Sequence, residues 1–426
     1  MRVVVRGWVL PPDKVSHVNI SVNGTVAGTC LLGSEIRLDL AIAYPSVLNS
    51  ENGGFSTVIP IGDKEGVYEI GVFAVSLDGQ EYALGNKRIV NSRETSDLPS
   101  RYSICLISRC NLACTMCPAH AESTRFLTEG TTIDQSLLGA SLEGLRDFVS
   151  SMKWVALCGY GEPFLYSGIF EAIERVHEIS PSIVIEITSN GTMFSERMIQ
   201  KILDSSLNQI DVSLDAGTKT AYERIRKGAN FESVVEGTRR LVEARTQRNR
   251  KLPVVTTNFV LMRSNIQELS DYVRTAINMH VDHISAVNPH GLYESDRNQV
   301  LYDLGDSSRE LPSEFIPYVR DARALARAAN VNCFIPSFTP SRPRLDCAQH
   351  GRTNPCVDSN GDVYPCCVLE ALGNERGSRV KAMGNIRHDT LQQIWNSPRY
   401  EAFRKAFYAG EVPDQYCTEC PCYYNL

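Results

Sequence analysis

The sequence lacks the features that would tie the chain to a membrane or a nucleic acid. No apolar stretch approaches the roughly 20 residues that span a bilayer, and the opening MRVVVRGWVL is broken too soon, by Pro11 and Pro12, to be a secretion signal. Basic residues are not in excess, because the 426 residues have a net charge of −6. We therefore expect a cytoplasmic protein with no nucleic-acid and no membrane partner.

Cysteine, by contrast, is abundant, with 14 residues in the chain. Most of them fall in two groups, at 110–117 and 347–422. In a long chain without a secretion signal, thiols at short spacing are metal ligands or catalysts more often than disulfide partners. The distribution predicts metal chemistry in two parts of the chain.

Three regions that differ in composition and hydrophobic periodicity predict three domains. Residues 1–95 alternate in period two, which predicts a β-sandwich accessory domain. Asn23-Gly24 and Asp78-Gly79 are predicted to form hairpin turns, in which both central positions have positive φ. Residues 101–335 alternate strands with amphipathic helices about six times, which is typical of parallel strands in a partial (β/α)6 TIM-like barrel. Residues 336–426 are rich in cysteine and poor in regular structure, so a metal centre would stabilise them. The fold class is thus α/β with two flanking domains.

Cys110, Cys114 and Cys117 stand close together in RCNLACTMCPAH, just after a predicted buried strand. Structural zinc takes four ligands, and His120 is the one nearby residue that could complete such a set. A loop with three cysteines instead suits a four-iron cluster in which one iron stays open to another ligand. The spacing favours the cluster over zinc.

This loop resembles the signature of the radical S-adenosylmethionine superfamily, and the resemblance extends over roughly residues 101–290. It implies that a [4Fe-4S] cluster on Cys110, Cys114 and Cys117 holds S-adenosylmethionine and cleaves it reductively. The resulting 5′-deoxyadenosyl radical would then remove a hydrogen atom from the substrate. One departure is Met116, where the family commonly has an aromatic residue near the adenine; a thioether can fill the same apolar space.

Further motifs at predicted strand ends also resemble those of the radical S-adenosylmethionine superfamily. GYGEPF, with Gly161 and Glu162, is similar to the family's element that contacts the amino group of S-adenosylmethionine, although Tyr160 replaces its second glycine. Small glycines let the backbone approach a ligand, and a carboxylate accepts from an ammonium group. The resemblance implies further cofactor contacts at the ends of the third to fifth strands, from Ser189, Asn190, Ser213, Asp215 and Asn258.

The cysteine-rich tail resembles the SPASM and Twitch extensions of radical S-adenosylmethionine enzymes. Their opening pattern is matched by Cys347, by Gly361 after a gap of thirteen residues, and by Cys366 after a gap of four. Residues 368–416, however, contain no cysteine. The ligand count favours one auxiliary [4Fe-4S] cluster, which we assign to Cys347, Cys366, Cys417 and Cys420. Three cysteines are left without an assignment and could replace one of these ligands: Cys356, Cys367 and Cys422. The best placed substitute is Cys422, because it is two residues from Cys420. Four thiols would also suit zinc.

These features predict an enzyme that attacks a substrate C–H bond, with a reducing partner such as flavodoxin or ferredoxin. Related enzymes act on sugar-derived alcohols or on ribosomally made peptides. Because residues 1–90 show no helical period of the kind expected in a leader-binding domain, we favour oxidation, dehydration or epimerisation of a carbohydrate or polyol. Peptide maturation is the first alternative, and a non-catalytic iron–sulfur or zinc protein is the second. No catalytic acid, base or hydrogen donor can be nominated from the sequence.

Overall fold

The structure, a computed structural model, describes most of the chain. The described residues are 2–32, 53–60, 66–91, 98–120, 131–290, 293, 297–301, 311–336, 347, 351–373, 380–409, 411–418, 420 and 422. The chain separates into two compact units, Met1–Asp97 and Leu98–Leu426. The predicted barrel and the predicted cysteine-rich domain therefore lie in one unit.

The first unit consists of β-strands. They are β1 (Arg2–Trp8), β2 (Val15–Val22), β3 (Thr25–Cys30), β4 (Gly54–Pro60), β5 (Gly66–Ser76) and β6 (Glu81–Asn91). β1 pairs with β4, and a four-stranded antiparallel sheet has the order β3-β2-β5-β6. Apolar side chains from both sheets share one core, including Val5, Val18, Ile20, Phe55 and Ile59. The sandwich arrangement stays a prediction, because residues 33–52 and 61–65 lie outside the described residues.

The two predicted hairpin turns differ from each other. Between β2 and β3, Asn23 and Gly24 both have positive φ, at 50° and 80°, as a two-residue turn requires. Between β5 and β6 the connection runs over residues 77–80, and within it only Gly79 has positive φ, at 85°. The expectation of positive φ at both central positions is therefore wrong for Asp78-Gly79, since the longer loop needs it at one residue.

The second unit is built on one ten-stranded sheet of order β15-β14-β13-β11-β10-β9-β7-β16-β17-β18. The first eight strands in this order pair in parallel, so the α/β class is confirmed, and two short parallel strands, one at each end of this row, join the six expected. The strands are β7 (Arg101–Cys105), β8 (Ala113–Cys114), β9 (Trp154–Cys158), β10 (Val184–Ser189), β11 (Gln209–Ser213), β12 (Arg226–Lys227), β13 (Val254–Val260), β14 (His283–Val287), β15 (Asn332–Phe334), β16 (Cys356–Val357), β17 (Asp362–Tyr364) and β18 (Gly384–Asn385).

The first seven helices of this unit lie in the connections between parallel strands, and the last three belong to the C-terminal segment. They are α1 (Gln135–Asp147), α2 (Ile169–Ile179), α3 (Glu196–Asp204), α4 (Lys219–Ile225), α5 (Phe231–Gln247), α6 (Leu269–Asn278), α7 (Ile316–Ala328), α8 (Cys367–Gly373), α9 (Leu391–Trp395) and α10 (Pro398–Ala409). Side-chain caps fix several starts: Asp134, Ser195 and Asn230 each accept a backbone N–H three residues on. The helices thus begin at residues whose side chains satisfy otherwise unpaired N–H groups.

Alternation along the parallel strands separates a core face from an inner face. Ile185, Ile187, Ile210 and Val212 are almost fully buried and belong to the large core that the helices share. The intervening positions are more accessible and mostly polar, as successive side chains of a strand point to opposite faces. The sheet therefore presents a polar inner face.

The cysteine-rich segment extends the barrel sheet rather than forming a separate layer. β16 pairs in parallel with β7, with Cys356 opposite Ser103 and Val357 opposite Ile104. β17 and β18 continue the sheet as antiparallel strands. Among the described helices, none is both long and apolar enough to cross a bilayer.

Candidate active site and auxiliary metal centre

The loop after β7 brings Cys110, Cys114 and Cys117 together. Cys114 lies in β8, which pairs antiparallel with β12, so that Cys114 stands opposite Arg226. The backbone N–H of Cys117 donates to the Cys114 carbonyl at 3.2 Å. Two short strands from distant parts of the sequence thus hold the loop in a fixed shape.

Apolar packing controls the electrostatics of the three thiols. Leu112, Met116 and Met262 form a buried cluster that contacts the cysteines. Burial raises the pKa of all three thiols, that of Cys117 to about 12, since a thiolate there would lack water. Bound iron would supply the missing positive charge and favour the thiolate form. The donor set therefore fits a metal cluster, and Met116 occupies the apolar position expected for it.

Glu162 connects the second and third predicted motifs. Glu162 is only 2% exposed to solvent. Its carboxylate accepts hydrogen bonds from the Ser189 hydroxyl at 2.8 Å and from the backbone N–H of Asn190 at 2.7 Å. The Asn190 side chain in turn donates to the Cys110 sulfur at 3.6 Å. The structure brings these predicted residues together and gives Glu162 the role of positioning its neighbours.

Gly161 is required by the close approach of two loops. A Cβ at this residue would lie 2.3 Å from the carbonyl oxygen of Ile107 and 2.5 Å from that of Arg109. The next backbone N–H, of Glu162, donates to the same Arg109 carbonyl at 2.9 Å. The glycine thus lets this loop pack directly against the residues that lead into Cys110.

Asp215 contacts an arginine that sequence reasoning missed. Arg226 Nε donates to the fully buried Asp215 carboxylate at 2.6 Å, and the Val260 N–H donates to its other oxygen at 2.7 Å. Arg226 Nη1 lies 3.8 Å from the Cys114 sulfur. Asp215 therefore acts on the cysteine loop through Arg226, for which the sequence carries no local signal.

Ser213 and Asn258 are cross-strand neighbours on β11 and β13. The side-chain oxygen of Asn258 is buried and has no hydrogen-bond partner among the described residues. Asn288, just after β14, is likewise buried, and neither polar atom of its side chain has a partner in the described part of the chain. Buried amides in this state indicate a polar ligand, so Asn288 joins the candidate site although the sequence did not single it out.

A pair of carboxyl groups lies on the inner face of the sheet. Glu186 of β10 accepts from the Trp154 indole, and Asp211 of β11 accepts from the Gln209 amide at 2.9 Å. Burial, and after it the neighbouring Asp211, raises the pKa of Glu186 to about 7. Burial also raises the pKa of Asp211. The pair would accept hydrogen bonds from donor groups of a substrate.

A second thiol-lined cavity lies in the C-terminal part. Its lining includes all four cysteines that the sequence assigned to the auxiliary cluster, Cys347, Cys366, Cys417 and Cys420. Apolar residues such as Phe403 and Phe407 form much of the remaining wall. Four convergent thiols in an apolar cavity fit an iron–sulfur cluster.

The three remaining thiols of this region are in different surroundings. Cys422 lines the cavity, while Cys356 and Cys367 are not among its lining residues. Cys356 lies in β16 and its thiol donates to the Glu370 carboxylate at 3.5 Å. Among the described thiols, Cys422 is thus the leftover residue placed to reach a cluster.

Tyr160 connects the two sites. Its hydroxyl lies 3.2 Å from that of Tyr293 and donates to the Cys367 carbonyl at 2.9 Å, directly after Cys366. The tyrosine that replaces a glycine in the second motif therefore contacts the auxiliary segment. Tyr160, which departs from the family pattern, thus joins the second motif to the auxiliary segment through hydrogen bonds of its hydroxyl.

Two family profiles match the two sites. The radical SAM superfamily matches residues 104–285, and the SPASM iron–sulfur cluster-binding domain matches residues 347–421. The chain is therefore a radical S-adenosylmethionine enzyme with a C-terminal SPASM domain, as the resemblance implied. These domains imply a [4Fe-4S] cluster, an auxiliary cluster and bound S-adenosylmethionine. Neither zinc at these sites nor a non-catalytic role is supported.

Three similar proteins cover about three quarters of the chain. The tungsten-containing aldehyde ferredoxin oxidoreductase cofactor-modifying protein of Pyrococcus furiosus is 23% identical over 74% of this chain and 85% of its own length. The PqqA peptide cyclase of Rhodopseudomonas palustris is 22% identical over 77% and 80%. The crystal structure of Streptococcus suis SuiB bound to precursor peptide SuiA aligns with a TM-score of 0.56 at 19% identity, covering 77% of this chain and 71% of SuiB.

Proposed function

We propose that the protein is a radical S-adenosylmethionine enzyme that modifies a peptide by removing a hydrogen atom from one of its residues. The observation that carries the proposal is a similarity over 77% of the chain to proteins whose names state a peptide, PqqA peptide cyclase and SuiB with SuiA. The preference for a carbohydrate or polyol rested on the absence of helical period in residues 1–90, and these relatives favour the alternative.

The chain's own residues would bind the cofactors and exclude water. Cys110, Cys114 and Cys117 would hold the first cluster, which supplies the electron that cleaves S-adenosylmethionine. Apolar side chains around the loop keep water from the reaction. Asn258, with its buried and unpaired oxygen, would accept a hydrogen bond from the bound cofactor.

The inner face of the barrel offers a place for the peptide. Glu186 and Asp211 are acceptors for backbone N–H groups or for a cationic side chain of the substrate. Because burial raises the pKa of Glu186 to about 7 and also raises that of Asp211, a fraction of the molecules carries a proton on the pair near neutral pH, and in these the pair can donate to a peptide carbonyl. Both abilities suit a substrate with alternating donors and acceptors.

Deuterium transfer tests the substrate class directly. The reconstituted enzyme would be incubated anaerobically with S-adenosylmethionine, a strong reductant and either a deuterated peptide mixture or deuterated monosaccharides. We expect 5′-deoxyadenosine that has gained one deuterium from the peptide mixture, measured by mass spectrometry. Cys114→Ala is the control that should release none.

Two results would overturn the proposal. Deuterium gained from the monosaccharides alone would restore the carbohydrate hypothesis. Unlabelled 5′-deoxyadenosine in every mixture would show cleavage of S-adenosylmethionine without attack on either class, and the substrate would then have to be sought among cofactors, as the name of the Pyrococcus relative indicates.

A further inference from the structure

The auxiliary cavity contains one thiol more than a four-iron cluster can bind. Cys347, Cys366, Cys417, Cys420 and Cys422 all line it. A cubane with four irons takes one thiolate on each iron. One of the five sulfur atoms must therefore have another role.

Cys420 and Cys422 are the two thiols that compete for one place. The Cys420 sulfur, the Cys422 sulfur and a ring nitrogen of His290 all lie within 4.8 Å of one another. The Cys422 sulfur is 3.4 Å from His290 Nδ1. Sulfur and nitrogen ligands of a single tetrahedral metal ion lie about 3.5 to 3.8 Å apart, given bond lengths of about 2.3 Å and 2.0 Å. The spacing therefore places both thiols within reach of the same iron.

His290 approaches the Cys420–Cys422 pair from the segment after β14. It follows β14 by three residues, and its ring packs edge-on against Tyr293 with ring centres 5.9 Å apart. Tyr293 in turn contacts Tyr160 of the motif beside the first cluster loop. The imidazole is thus fixed by the barrel, whereas Cys420 and Cys422 belong to the C-terminal segment.

We propose that Cys420 and Cys422 are interchangeable ligands of one iron of the auxiliary cluster, and that His290 hydrogen-bonds the sulfur of this pair. Exchange breaks one iron–sulfur bond and makes another. The arriving sulfur gives up a proton and the leaving sulfur takes one up, so no oxidant or reductant is needed. The inference rests on the auxiliary cluster and is independent of the substrate proposed above.

Iron retention tests the proposal without any turnover. The full chain with Cys110→Ala, Cys114→Ala and Cys117→Ala lacks the first cluster, so all remaining iron belongs to the auxiliary site. After anaerobic reconstitution we expect about four irons per chain in this background and in each of the further single variants Cys420→Ala and Cys422→Ala. After mild oxidation, the double variant and Cys366→Ala, each left with three thiolate-bound irons, should keep about three irons per chain, whereas the background and each single variant should keep about four. Cys30→Ala, in the other unit, is the matched control.

The histidine has its own expected signature. His290→Leu alone should keep the iron, because either thiol can still bind. Combined with Cys420→Ala it should lower iron retention, since Cys422 then binds without the neighbour that orients its sulfur. Electron paramagnetic resonance of the reduced samples should show a changed cluster signal in Cys420→Ala, reporting the exchanged ligand.

Several results would overturn the proposal. Loss of one iron on oxidation in Cys420→Ala alone would leave Cys422 without a ligand role, and four irons in the oxidised double variant would place the fourth ligand elsewhere. One zinc ion per chain that is lost in His290→Leu would show a separate metal site. Far-UV circular dichroism before reconstitution checks folding, and a variant that fails it is replaced by its Cys→Ser counterpart.

Discussion

Glu162 allows a direct cofactor ligand to be distinguished from a residue that shapes the cofactor site. Its buried carboxylate accepts one hydrogen bond from Ser189 and one from Asn190. Glu162→Gln keeps the size of the side chain but replaces one acceptor oxygen with an NH2 group. Because the carboxylate also accepts the Phe164 N–H at 3.3 Å, that group would face either the Asn190 N–H or the Phe164 N–H, and one hydrogen bond from a backbone N–H is lost even when no cofactor is bound.

The magnitude follows from those contacts. A hydrogen bond to a charged group contributes about 1.5–3 kcal/mol, and a buried donor left unpaired costs about 1–3 kcal/mol. We therefore expect the free energy of unfolding to fall by about 3 kcal/mol. For a unit the size of Leu98–Leu426, with an unfolding entropy near 2 cal/mol/K per residue, the melting temperature should fall by about 4 °C.

Thermal unfolding, followed by circular dichroism with and without S-adenosylmethionine, measures this effect. Glu171→Gln is the matched control, because its carboxylate is largely exposed and lies 3.7 Å from Arg175. Loss of that surface pair should change stability by about 0.5 kcal/mol or less. A wild-type melting temperature for Glu162→Gln, together with lost cofactor binding, would refute the positioning role and establish a direct contact.

Three other substitutions test the site. Glu186→Gln should become more stable relative to wild type as the pH rises. Burial raises the pKa of Glu186 from 4.5 to about 7, so between these pH values the carboxyl group loses its proton in the unfolded wild type but keeps it in the folded protein. The free energy of unfolding of the wild type therefore falls by about 3 kcal/mol over this range. Urea unfolding at pH 4 and pH 8 measures this, and a constant difference would contradict it. Asp215→Asn should cost about 3–5 kcal/mol, because it leaves Arg226 buried and unpaired; a loss below about 1 kcal/mol in urea unfolding would show that water reaches the guanidinium. Gly161→Ala should lower iron binding at the first cluster but not at the auxiliary one, since its Cβ would collide with the Ile107 carbonyl; unchanged iron at both sites would show that the loop can shift.

Local patterns were enough to predict the parallel strands and the residues of the cysteine loop. Period-two and period-3.6 signals lie within single segments, and the spacing of Cys110, Cys114 and Cys117 is itself a property of one loop. The assignment of Cys347, Cys366, Cys417 and Cys420 to one site agrees with their shared cavity, although that assignment used the resemblance to known domains as well as the ligand count.

Long-range register could not be predicted. Nothing local distinguishes Arg226 from Arg224, yet the pairing of β12 with β8 places only Arg226 opposite Cys114. The hydrogen-bond partners of Glu162 and Asp215 within the protein could not be predicted for the same reason. Their partners, Asn190 and Val260, are 28 and 45 residues away in the sequence, and only the folded sheet determines which donors meet each carboxylate.

The pairing of β16 with β7 has a practical consequence for any attempt to dissect this enzyme. β7 leads directly into the first cysteine loop, and β16 occupies the side of β7 that β9 leaves open. A shortened chain that ends before residue 336 would expose an unprotected strand edge, which invites aggregation. Removal of the auxiliary cluster by truncation would therefore disturb the cluster that it was meant to isolate, whereas exchanging single cysteines would leave the sheet whole.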